Sequence, residues 1–212
     1  MSGEGVLVKP VASMISAAAF ATALVLGSAP ASAAGALGGY ISEVKGGFFD
    51  HDALRDNSGK QKESNTLDIN GEILSQPIKF GSSEIPALNA IYQPRAHLGF
   101  TANTAGYTSA GYTGVTWDFN LGSNFFFAPS FGFTVHNGQL KTKKTATGTV
   151  IDTGRPALGS TVLFREGADI GYRFAGGHSA AVFFGHMSNA GLFAKENAGM
   201  NFLGARYGYK FD

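Results

Sequence analysis

The sequence predicts an all-β fold, an eight-stranded antiparallel transmembrane β-barrel, from three observations. Apolar residues recur at every second position in one segment after another, charged residues are scarce, and the chain opens with the pattern of an export signal. Of 212 residues, 44% are hydrophobic and only 15% are charged, well under the roughly one quarter of a soluble domain. Gly (30) and Phe (18) are abundant and Pro (7) is sparse, which excludes a disordered chain, a collagen and an Ala/Glu/Lys-rich coiled coil. A net charge of +1 leaves no basic footprint for nucleic acid. The absence of Cys excludes disulfides, thiolate catalysis and Cys-ligated metal centres.

Residues 1–33 read as a signal peptide. Lys9 precedes an apolar run over 11–26, short for a bilayer span of about 20 residues. Ala31-Ser32-Ala33 has the small-x-small form of a cleavage site. Cleavage after Ala33 leaves residues 34–212 as a single barrel domain.

Eight strands follow, near residues 40–50, 65–75, 95–104, 110–120, 124–136, 161–174, 178–188 and 201–211. Leu67, Ile69 and Ile73 alternate with Asp68, Asn70 and Glu72. Leu98, Phe100 and Ala102 alternate with Gly99, Thr101 and Asn103, and Val115, Trp117 and Phe119 with Thr116, Asp118 and Asn120. The pattern continues through Phe131, Phe133 and Val135, through Ala168, Ile170 and Tyr172, and through Leu203, Ala205, Tyr207, Tyr209 and Phe211. Successive side chains on a strand point to opposite faces, so each segment has one apolar and one polar face.

The charges decide which face is inside. Asp68, Glu72, Asp118, Asp169, Arg173, Arg206 and Lys210 share the polar side. A soluble sandwich also alternates, but it does not need so many aromatic side chains with so few charges. A membrane barrel does, because lipid wets its outside while paired polar groups fill a narrow interior. Arg165, Arg173 and Arg206 are expected to pair with Asp or Glu there, since an unpaired buried charge is costly. Eight strands leave no room for a channel. Links near 120–124 and 175–178 are short and belong at the periplasmic end; those at 51–64, 137–160 and 189–200 are long and belong outside. Segment 76–94 is long yet periplasmic, and Pro77, Pro86 and Pro94 argue against one regular helix there.

The chemistry is concentrated at 185–192. His186 and Ser188, two apart on a strand, project to one face, pairing a general base with an oxygen nucleophile. Asn189, or backbone N–H groups around Gly191, could donate to a developing oxyanion. The bland alternative is a rim histidine and serine bonded to loop backbone. His51, His97, His136 and His178 are scattered without metal-site spacing, so no metal is expected. Lys141, Lys143 and Lys144 read as a solvated loop that could also meet phosphates.

The run His186-Met187-Ser188-Asn189-Ala190-Gly191-Leu192, followed by Asn197-Ala198-Gly199 and Gly204-Ala205-Arg206-Tyr207-Gly208, resembles the lipid A 3-O-deacylase family. The likeness extends to Phe49-Asp50-His51-Asp52, Asp68-Ile69-Asn70-Gly71-Glu72, Pro94-Arg95-Ala96-His97, His136-Asn137-Gly138, Leu158-Gly159-Ser160 and Phe164-Arg165-Glu166. The resemblance implies an outer-membrane esterase, without cofactor, that removes the 3-hydroxyacyl chain from position 3 of lipid A at the outer wall of the barrel. It places the nucleophile on Ser188, the base on His186 and the oxyanion asparagine on Asn189. The partners it implies are lipid A or lipopolysaccharide as substrate and the surrounding membrane, with a homodimer as a further possible assembly and no nucleic acid.

One position departs from the family pattern. Members carry a glutamate two residues after the Asn-x-Gly glycine to orient the histidine; here Asn201 stands there. Asn201 can accept a hydrogen bond from His186 but brings no charge, and the equivalent change in a serine protease costs about 10⁴ in turnover. Glu196 is the alternative acid, ahead of Asn197 in the loop. Two functions follow: a lipid A esterase weakened at Asn201, or a non-catalytic structural or lipopolysaccharide-binding barrel.

Overall fold

A computed structural model of the protein describes residues 39–54, 63–151 and 153–211; the expected signal peptide lies outside the described residues. The strands are β1 (Ile41–His51), β2 (Leu67–Pro77), β3 (Arg95–Asn103), β4 (Ala110–Thr116), β5 (Phe119–Gly122), β6 (Phe125–His136), β7 (Val162–Arg173), β8 (His178–Ser188) and β9 (Met200–Lys210). One short helix, α1 (Pro86–Ile91), lies between β2 and β3. All pairings are antiparallel; they join neighbours in sequence except that β4 pairs with β6 and β1 with β9, the last closing the sheet.

The nine segments make eight staves. Thr116 of β4 faces Ser130 of β6, and Phe119 of β5 faces Phe127 farther along the same strand. The interruption lies opposite Pro129. Trp117 N–H donates to the Pro129 carbonyl at 2.9 Å, but Pro129 has no N–H to return the bond, so the ladder breaks there.

The outer wall is apolar, as the alternation predicts. Ile69, Leu98, Phe100, Phe133, Ile170 and Val182 are all exposed on it. The interior holds a charged network. Arg206 donates from Nε to Asn70 Oδ1 (3.0 Å) and from Nη1 to Asp169 Oδ2 (3.2 Å), and its Nη2 lies 3.3 Å from Glu72 Oε2. Lys45 Nζ lies 2.9 Å from Asp169 Oδ2. Nearer the end where β1 begins and β9 finishes, Arg95 pairs with Glu43 and Arg173 with Asp118, each at 2.5 Å. One expectation is corrected. Arg165 makes no ion pair among the described residues; its guanidinium lies 3.7 Å from the centre of the Tyr112 ring, a cation–π contact, with Nη2 lacking a hydrogen bond. Lys210, at the last position of β9, is exposed.

Above the charged layer, an apolar plug fills the loop end. Leu158, carried by the 137–161 connection, is buried with Phe49, Leu163, Phe183, Met187, Met200 and Phe202. Beside it sits a network that the scatter of histidines in the sequence did not reveal. His51 is fully buried, with Nδ1 2.7 Å from Asp68 and Nε2 3.0 Å from Glu63. Thr108 N–H donates to the same Glu63 oxygen at 2.6 Å, and Arg155 Nε lies 3.4 Å from its other oxygen. Burial opposes the charge on Glu63, but the bonds from His51 and Thr108 outweigh it and hold the carboxyl below its ordinary range. Segment 78–94 continues the β2–β3 hairpin, with Ile78 N–H bonded to Pro94 O and Phe80 N–H to Tyr92 O. Pro86 starts the helix where a missing N–H costs nothing. The prolines thus permit one helix of 6 residues, not a continuous one.

Candidate active site

The site stands on the outer wall at the loop end of β8 and β9. His186 and Ser188 are half-buried and point outward, while Met187 between them is 1% exposed and faces the plug. Asn201 is likewise half-buried between two inward residues, Met200 and Phe202. Apolar neighbours packed inside therefore set which way the polar residues face. His186 and Asn201 are in register across β8 and β9. His186 Nδ1 lies 2.6 Å from Asn201 Oδ1. The oxygen can only accept, so this bond is made by Nδ1–H, and in the neutral ring that tautomer leaves the lone pair on Nε2.

Gly199 makes room for this ring. Its φ is +64°, and a Cβ there would stand 2.8 Å from His186 Cε1 and 3.3 Å from Nε2. Any larger residue would be strained and would push the imidazole aside. The Ser188 hydroxyl has no hydrogen-bond partner among the described residues. Its cross-strand neighbour on β7 is Phe164, whose ring leads into an aromatic shelf: Phe133 at 5.3 Å, Phe131 at 6.0 Å and, from the loop, Phe193 at 5.3 Å between ring centres.

The two expected oxyanion donors are otherwise engaged. Asn189 is fully buried; its Nδ2 donates to Leu158 O (3.1 Å) and Glu196 O (2.7 Å), and its Oδ1 accepts from Gly191 N–H (2.7 Å). Asn189 N–H in turn donates to Asn197 Oδ1 at 2.9 Å. These bonds tie the turn after Ser188 to two loops. The tie needs Gly159, at φ +83°, because a Cβ there would collide with the Glu196 carbonyl and with Asn189 Nδ2. The alternative acid, Glu196, accepts from Thr142 N–H at 3.1 Å; the ring bond at His186 Nδ1 is made by Asn201. Among the described residues, no group of three or more His, Asp or Glu side chains is arranged to hold a metal ion.

The barrel is similar to the crystal structure of the outer membrane enzyme PagL, with a TM-score of 0.54 and 18% identity, over 79% of this chain and 99% of that one. Weaker likenesses are to a de novo designed transmembrane β-barrel (TM-score 0.42, 12% identity, 80% and 95% covered) and to the Yersinia pestis outer membrane protein Ail (0.40, 9%, 80% and 99%). No curated protein sequence matches the chain. The family model described as lipid A 3-O-deacylase (PagL) matches residues 87–210, a span that begins in α1 and runs through β9. Matched over more than half of its length, the chain belongs to the lipid A 3-O-deacylase (PagL) family.

Proposed function

We propose that the protein is an outer-membrane esterase that removes the 3-O-linked 3-hydroxyacyl chain of lipid A, with Ser188 as nucleophile, His186 as base and Asn201 as the residue that orients the ring. The carrying observation is the His186–Asn201 hydrogen bond on the outward face of a family member, with Ser188 one outward position beyond. Nε2 takes the Ser188 proton as Oγ attacks the ester carbonyl carbon. The tetrahedral intermediate expels the sugar oxygen at position 3, which receives that proton from the imidazolium. Water, deprotonated by the same nitrogen, then attacks the acyl-serine and releases the 3-hydroxy acid while Ser188 is reprotonated.

The aromatic shelf supports an acyl substrate, because Phe164 and its stacked neighbours extend apolar surface directly from Ser188. Location supports it too. With the long connections outward, the site lies at the height of the outer leaflet, and lipid A can enter sideways without leaving the membrane. In this reading Asn189 shapes the oxyanion region by holding the turn. Ala190 sits in that turn at φ 53°, and its N–H, without an acceptor among the described residues, is the donor adjacent to Ser188 and Asn189. A non-catalytic barrel is the second reading, favoured only by the neutral side chain at Asn201.

Expression of the full chain in a Gram-negative host with unmodified lipid A, followed by mass spectrometry of that lipid, tests the assignment. The wild type is expected to remove one 3-hydroxyacyl mass and Ser188→Ala to remove none. Intact lipid A in both, with the barrel folded in the outer membrane, would establish the non-catalytic reading.

A further inference from the structure

Glu166 interrupts the apolar face of β7. Its outward companions are Phe164, Ala168, Ile170 and Tyr172, whereas the adjacent Arg165 is buried inside. A carboxylate among lipid-facing side chains is unfavourable away from the membrane interface, and Glu166 has neither an ion pair nor a hydrogen bond among the described residues. Its place in the register is specific. Glu166 pairs with His186 across β7 and β8, and His186 pairs with Asn201 across β8 and β9. The three residues form one row on the outer wall with the imidazole in the middle. Directly opposed residues have Cβ atoms about 4.5–5.5 Å apart, a gap that a glutamate side chain spans. The other outward carboxylate of this region, Asp50, is in register with Leu203 on the far side of β9, one strand more distant from the ring.

We propose that Glu166 is a positioning residue of the esterase site, supplying from β7 the negative charge that Asn201 cannot supply from β9. The inference rests on the reading of His186 as the base. When Nε2 takes the Ser188 proton the ring becomes a cation, and a carboxylate beside it in a poorly solvated setting favours that state. Glu166 exchanges no proton and touches no substrate; Asn201 holds the tautomer while Glu166 balances the charge.

The test uses the purified full-length barrel with lipid A in mixed detergent micelles. Folding of each variant is checked by its heat-modifiable migration. Glu166→Gln is expected to lower kcat at least tenfold with KM little changed. Adding Asn201→Glu to Glu166→Gln is expected to restore most of that loss, because a carboxylate on the other side of the same ring replaces the missing charge. A role confined to packing on β7 would gain nothing from a change on β9. A wild-type rate in Glu166→Gln, or a slow Glu166→Gln that Asn201→Glu does not rescue, would overturn the proposal. Activity persisting in Ser188→Ala, or none in the wild type, would instead overturn the underlying esterase reading and Glu166's role with it.

Discussion

At the scale of single residues, the site depends on one short hydrogen bond. Asn201 Oδ1 lies 2.6 Å from His186 Nδ1 and selects the tautomer in which Nε2 can accept a proton. A neutral acceptor does this less strongly than a charged one, since hydrogen bonds to an ionised group are roughly twice as strong. Asn201→Glu is therefore expected to raise kcat on lipid A about tenfold. The gain should stay far below the ~10⁴ that a triad acid is worth in a serine protease, because that loss reflects a wrong tautomer, which Asn201 already prevents. Steady-state kinetics on the purified variant checks this, with Asn201→Ala alongside: a wild-type rate in Asn201→Ala, which lacks the acceptor for Nδ1–H, would remove Asn201 from the catalytic set.

At the scale of elements, the site is a property of two strands held from behind. Met187 and Met200 point into the plug between the outward residues, at 1% and 0% exposure, so the packing that stabilises β8 and β9 also aims His186, Ser188 and Asn201. Met200→Ala removes side-chain volume where nothing can fill it, at a cost of about 2–5 kcal/mol. Thermal denaturation in detergent is expected to show the lowered stability. Turnover should fall with it, since loosening the β8–β9 contact disturbs the His186–Asn201 pairing. Leu203→Ala, on the lipid-facing side of β9, should leave stability nearly unchanged in the same measurement.

At the scale of the whole molecule, closure depends on charges that cancel within a narrow lumen. Arg206 is bonded to Asn70 and Asp169 and pairs with Glu72, and its guanidinium lies 3.8 Å from the centre of the Phe183 ring. Removing one partner of a buried set leaves the others uncompensated, which costs about 3–5 kcal/mol. Arg206→Ala is expected to unfold at lower denaturant than wild type by roughly that free energy, measured by guanidinium titration in lipid vesicles. Replacing Arg206 should weaken the barrel without acting on the site directly, because the guanidinium faces the lumen and the site faces outward.

Period-two alternation determined the barrel, its strand boundaries to within a few residues and the common face of His186 and Ser188, because on a strand relative direction follows from parity alone. The charge of Glu166 on the apolar face and the residue it faces on the next strand emerge only from the structure. The facing residue depends on register, set by pairing between segments far apart in the chain. The same limit concealed the His51–Asp68–Glu63 network, whose members come from two strands and a loop, and the cation–π seat of Arg165. It also concealed the use of Asn189. Its place after Ser188 suits an oxyanion donor, yet both its amide hydrogens bond loop carbonyls that only the folded chain brings near. Local sequence determines where a side chain points; tertiary structure decides what it meets there.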